Sequence, residues 1–298
     1  MPRVIFIFLV LFYFVLALFS GGNSFSNEIE SVICLSFIII LGIPHGAIDN
    51  HLFLSKTDTS KLRFYTQYLT LIGANAVVWL IFPQFSFVLF MIISAFHFGQ
   101  SQFNHYFEKD NLPQRGLYLI WGLAILSGLI FYNLESLSII DGLQKAMGFL
   151  FVAEAYTYLK VFHYISVGLF ALVLAGLGFN GSLHYEKVLL ETIIFGIILF
   201  TLYIFPPLVG FSLYFVILHS MKVMQEEYIY LRGNGYIDSM KSFLLLLLPY
   251  TLVSLFGIAM LIGLIYFDLL NLPYGFLFLI LISSITLPHV FVMDRFYN

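Results

Sequence analysis

The side chains in this chain best able to do chemistry are its histidines. There are eight, against a single cysteine, Cys34, which lies in an apolar run, so no thiol pair or thiolate metal cluster can form. Any metal must therefore be held by imidazoles and carboxylates. His51, His105 and His184 stand beside charged or polar neighbours at or beyond the ends of apolar runs and read as solvated loop residues. His163, in KVFHY, reads as interfacial. The other four sit near one end of an apolar run: His45 in GIPHGAID, His97 in ISAFHFGQSQ, His219 in FVILHSMK and His289 in ITLPHVFVMD.

An ionisable side chain inside a membrane span is costly, usually faces the interior of a bundle, and is a functional hypothesis by default. Any one such histidine is more often a hydrogen-bonded packing residue. Four at a common depth point instead to a shared metal site formed by His45, His97, His219 and His289. Neutral imidazoles suit Zn, Cu, Fe and Ni, whereas Mg and Ca want oxygen ligands. Four histidines with an open coordination position favour oxygen-activating Fe(II) over a hydrolytic zinc, although residue types alone leave that choice open. A metal-bound imidazole also needs its second nitrogen held by a carboxylate or carbonyl. Asp49, four residues after His45, and Asp294, five after His289, are candidates for that supporting role, with solvation at a helix end as the plainer reading. Pro44 and Pro288 release a backbone carbonyl and bend a helix, and Gly46 and Gly99 allow another backbone or a ligand to come close.

The elements that must position these groups are membrane helices. Of 298 residues, 61% are apolar and 10% charged, whereas a soluble domain carries roughly 25% charged residues and 45–50% apolar ones. With about 20 apolar residues per span, the chain reads as an all-α, polytopic bundle and one integral membrane domain over 1–298. About ten spans (8–10) are expected, near 4–20, 30–48, 63–82, 84–104, 115–133, 156–179, 187–205, 207–226, 243–267 and 273–293. Residues 134–155 read as an interfacial helix or long loop, and Pro83 and Pro206-Pro207 separate neighbouring spans. Placing both termini in the cytoplasm leaves only Lys145 and Lys160 outside and puts the other basic residues, Lys109 among them, inside. The four histidine-bearing spans then run in one direction, and their histidines lie about one to three turns from the cytoplasmic boundary. The location is thus the cell's inner (cytoplasmic) membrane. Tyr65, Tyr68 and Trp79 read as interfacial belt, and the surplus of 35 Phe and 19 Tyr suits an apolar tunnel. A net charge of −3 without a basic tract excludes nucleic-acid binding.

At GIPHGAIDN, AFHFGQSQ, YFVILHS and LPHVFVMD the chain resembles the Brp/Blh family of bacterial and archaeal membrane carotene oxygenases. The resemblance extends from about residue 30 to the C-terminus, with the PHGAxD island the most distinctive. It implies Fe(II)-dependent cleavage of beta-carotene by O2 at the central double bond, giving two retinal. Beta-carotene would enter from membrane lipid, and the retinal would pass to a microbial rhodopsin. His45, His97 and His219 match the family's ligand positions. Two departures stand out: Val223 occupies a position, one turn after the HS motif, where the family often has a second histidine, and Gln102 stands where it tends to place an acid. His289 is then the fourth ligand by depth and by its Pro-His context. Other readings stand beside this one: a diverged member acting on another carotenoid or apolar polyene, a bis-histidine haem or other metal-binding protein, and a transporter. A di-iron desaturase is disfavoured because no HxxxH or HxxHH cluster occurs, and a photoreceptor because no lysine lies at mid-span.

Overall fold

In the computed structural model, residues 2–19, 27–107 and 111–298 are described, and they are built from helices. The N-terminal part comprises α1 (Pro2–Phe19) and α2 (Asn27–Phe37). A wide π-helical turn at Ile38–Gly42 and a tight 3-10 turn at Ile43–Gly46 then lead into α3 (Asp49–Lys56). Next come α4 (Lys61–Ile81), α5 (Pro83–Phe103), α6 (Leu112–Tyr132), the short α7 (Leu134–Ser138) and α8 (Leu143–Met147), α9 (Ala153–Phe179) and α10 (Tyr185–Ile204). The chain continues through α11 (Pro207–Ser212), a π-helical segment Leu213–Ser220, α12 (Met221–Gly233), α13 (Met240–Tyr266) and α14 (Tyr274–Tyr297).

Local sequence accounts for several of these boundaries. The Ser60 hydroxyl accepts from the Arg63 N–H at the start of α4, and Asn111 and Gln114 form a reciprocal capping box on α6. Pro83 and Pro207 occupy first helical positions, where the missing N–H costs nothing. Among the described residues, nine helical stretches are long and apolar enough to cross a membrane, from Val32–Lys56 to Tyr274–Tyr297. The predicted span 4–20 falls on α1, whose apolar stretch Pro2–Val15 is shorter; residue 20 and Lys109 lie outside the described residues. The interfacial stretch 134–155 is carried by α7, α8 and a 3-10 turn at Gly148–Leu150 before α9 begins.

The chain divides into two compact units. One comprises Met1–Ala47 and His184–Leu252. Within it α1 lies against the π-helical segment Leu213–Ser220, and α11 contacts α2 and α10. Tyr13 meets Phe205 edge-on with ring centroids 4.8 Å apart. Arg3 of α1 pairs with Glu191, a fully buried carboxylate on α10, and an ion pair offsets the cost of burying that charge.

The other unit comprises Ile48–Leu183 and Val253–Asn298. In it α5 packs on α6 and α6 on α9, while α14 lies against α3, α4 and α5. A core of Trp79, Phe87, Ile130, Met147 and Phe276 fills one end. Trp79, expected in an interfacial belt, is fully buried there, its ring edge-on to Phe276. The α5–α6 crossing is made backbone to backbone: a Cβ at Gly99 would strike the Tyr118 carbonyl, and one at Gly122 the Ala95 carbonyl. In a bilayer, where lipid is as apolar as any side chain, such close approach through small residues is what holds helices together. Gly122→Leu should therefore cost at least the ~1–3 kcal/mol of core overpacking. It should lower the thermal midpoint of the purified protein, whereas Gly116→Ala, where a Cβ meets nothing within 4 Å, should leave it unchanged.

Candidate metal centre

The first unit holds one pair of candidate histidines, His45 and His219. Pro44 interrupts the α-helical ladder, and the chain passes His45 through the 3-10 turn immediately after the π turn. The half-buried His45 ring turns back so that Nδ1 donates to the Gly42 carbonyl. A carbonyl only accepts, so the proton belongs on Nδ1 and the lone pair on Nε2, the state a metal ligand needs. His219 is buried near the end of the segment Leu213–Ser220, a wide turn of the kind that recurs at functional sites. Its ring centroid lies 5.3 Å from that of His45, the planes at 80°. Phe215 wedges the pair, stacked on His219 at 22° and edge-on to His45. Gly42 makes room for it: a Cβ there would lie 2.8 Å from the Phe215 ring. Val223, one turn beyond His219, is fully buried and apolar and offers no donor atom.

The second unit holds the other pair, His97 on α5 and His289 on α14. Both are buried, with ring centroids 5.0 Å apart and planes at 84°. His289 Nδ1 donates to Asp49 Oδ1 at 2.8 Å, and the other oxygen of that buried carboxylate accepts from the Tyr68 hydroxyl, also at 2.8 Å. The chain Tyr68–Asp49–His289 fixes the Asp49 rotamer and directs the remaining nitrogen of His289 away from the acid. It links α4, α3 and α14. Seven residues further along α4, Asn75 donates to both Ser283 and Ser284 of α14, so the same two helices are joined again deeper in the span.

The structure thus brings Asp49 to His289, 240 residues away, while His45, its neighbour in sequence, is served by a backbone carbonyl. Asp294 contacts no site histidine among the described residues. Its carboxylate accepts from Gln100 at 2.9 Å, from Arg115 at 3.1 and 3.4 Å and from Asn298, bracing the end of α14. Gln102 is buried on α5. His105 and His184 are exposed and His51 half-buried, as expected of residues outside the site. His163 differs from its interfacial expectation. It is fully buried within α9, with Ser127 on Nδ1 at 3.0 Å and Tyr132 on Nε2 at 2.9 Å, so both ring nitrogens are consumed in joining α9 to α6. Tyr68, expected in the aromatic belt, is the residue beside the candidate site that the sequence did not point to; its hydroxyl, seven positions before Asn75 on one helical face, was the available signal.

Long apolar helices carrying two close pairs of histidines, with His45 and His289 each holding one ring nitrogen on an acceptor, define an all-helical polytopic membrane protein whose histidines are candidate metal ligands. The family described as beta-carotene 15,15'-dioxygenase matches residues 36–297, and the chain belongs to it. A beta-carotene 15,15'-dioxygenase of an uncultured marine bacterium (66A03) is 30% identical over 96 residues, covering 29% of this chain and 35% of that protein. The chain therefore matches about a third of that relative's length. No solved structure matches.

The hydrogen-bond chain behind His289 makes a graded prediction. Losing an outer partner of a metal-bound histidine typically costs 10–100-fold in metal affinity. A metal ion held through His289 should be bound more weakly by about that factor in Asp49→Asn, and by less in Tyr68→Phe, which leaves the carboxylate in place, as measured by competition with a chelator.

Proposed function

We propose that this chain is an Fe(II)-dependent dioxygenase that cleaves beta-carotene at its central double bond with O2 and yields two retinal. The observation that carries the reading is the pairing of histidines: His45 with His219 in one unit, His97 with His289 in the other. In this reading the four imidazoles hold one iron. His45 and His289 ligate through Nε2, because Gly42 and Asp49 occupy their other nitrogens. The family assignment and the name of the marine relative support the substrate and the reaction. The donor set fits: neutral nitrogen ligands suit iron, and no thiolate competes. With Val223 in place of a further histidine, His289 completes the set of four.

Iron, when bound, supplies the activation of dioxygen. The protein's own part is to position and exclude. Asp49 and Tyr68 keep the His289 ring in one orientation, and Phe215 does the same for His219 and His45. The apolar surroundings keep bulk water from the cleavage products, and the rigid polyene enters sideways from membrane lipid because neither of its ends is polar. Both termini lie in the cytoplasm in this reading, the membrane is the cell membrane, and the retinal passes to a microbial rhodopsin.

Co-expression with a beta-carotene pathway tests the reaction. Orange colour should fade and retinal appear by chromatography, while His45→Ala and His289→Ala should preserve the carotene. Carotene retained by an iron-loaded wild type would instead favour another polyene, and a Soret band in the purified protein would favour haem. His97→Ala should abolish iron retention measured by elemental analysis, and His184→Ala should leave it intact. Equal iron in the two variants would refute the assignment.

A further inference from the structure

Two neighbouring hollows in the second unit share the walls Phe53 and Phe291. The first, of about 580 Å³, has the side chains of Arg115, Asp294, Arg295, Thr57 and Asn298 on its wall beside the two phenylalanines. These residues stand at the ends of three membrane-length helical stretches, the start of Leu112–Tyr132, the finish of Tyr274–Tyr297 and the loop just after Val32–Lys56. The second, of about 480 Å³, runs along α4 and α14 between Phe64, Leu71, Pro288 and Val292. Leu71 stands about 15 Å along α4 from Lys61, and Pro288 about 14 Å back from the end of α14, at 1.5 Å per residue. A hollow with charged side chains at span ends thus lies beside an apolar furrow that follows two span-length helices.

The charges choose the occupant. Arg115 is engaged by Asp294, which neutralises one guanidinium, although the fork still has N–H groups to offer. Arg295 is exposed and, among the described residues, has no side-chain partner. Among the lining side chains one positive charge is therefore left over for a phosphodiester. The one carboxylate among the lining side chains, Asp294, is already paired, so an ammonium headgroup would find no counter-charge. Along the furrow, Thr66, Gln67 and Thr70 are exposed on a helix long and apolar enough to span a membrane, with no side-chain partner among the described residues, and offer hydrogen bonds to the ester carbonyls of a lipid. Basic pockets between membrane helices bind anionic headgroups in this way.

We propose that this double hollow is a binding site for one anionic phospholipid, its phosphate on Arg295 and Arg115 and an acyl chain along α4 and α14. Tyr68 and Pro288 both form part of the furrow wall. The lipid would thus support, from the outer side, the two helices that carry the Tyr68–Asp49–His289 chain.

The test uses the full-length protein, purified and reconstituted into nanodiscs of either phosphatidylglycerol or phosphatidylcholine, without reference to carotene turnover. Native mass spectrometry should find retained phosphatidylglycerol, and the thermal midpoint should be higher in phosphatidylglycerol than in phosphatidylcholine. Arg295→Gln should reduce retention about tenfold and erase the difference in midpoint. Lys241→Gln, which removes a charge elsewhere, should preserve both. Leu71→Trp, which fills the furrow and leaves the arginines alone, should also lower retention. Equal retention and equal midpoints in the two lipids, or an Arg295→Gln protein indistinguishable from Lys241→Gln, would overturn the proposal.

Discussion

An imidazole buried among membrane helices has to have one nitrogen hydrogen-bonded before the other is of any use, and this constraint organises the chain. Two solutions appear. His45 finds its acceptor three residues back, in the Gly42 carbonyl, because a proline and two non-α turns reshape the local backbone. His289 follows Pro288 inside α14, and its acceptor comes not from that helix but from another element, as Asp49. A bare carboxylate at that depth would be costly, and the Tyr68 hydroxyl offsets part of that cost. The need for an acceptor thus propagates outward from α14 to α3 and then to α4.

His163 shows what the same residue does when the constraint is satisfied twice. With Ser127 on one nitrogen and Tyr132 on the other, no lone pair is left to offer a metal, and the ring serves as a polar bolt between α6 and α9. Burial alone does not mark the difference, since His163 is as buried as His97.

Much of the fold was legible in the sequence because the bilayer simplifies the rules. Apolar runs of span length gave the helices, and Pro83 and Pro207 marked two of the breaks, falling at first helical positions. The candidate site was legible as four histidines near the ends of apolar runs, but not as pairs, because pairing depends on which helices neighbour which. Asp49 illustrates the limit: its proximity to His45 in sequence suggested one partner, and the turn between them sends it to another 240 residues on. Tyr68 and Trp79 were both read as belt because aromatic residues near span ends usually are; one is held by a carboxylate and the other by a core, and neither environment leaves a mark within a few residues of the position itself. Asp294 lies one turn from His289 yet serves α5 and α6 through Gln100 and Arg115.

The wide turns at Ile38–Gly42 and Leu213–Ser220 accommodate additional residue length relative to an ordinary α-helix. Each residue added to an α-helix rotates the remainder of that helix by about 100°, so His45 and His219 present their rings where they do only while those turns keep their full complement of residues. Length in these two short stretches therefore acts as an angular setting: loss of one residue would leave composition and hydrophobicity almost untouched and still aim an imidazole at a different neighbour.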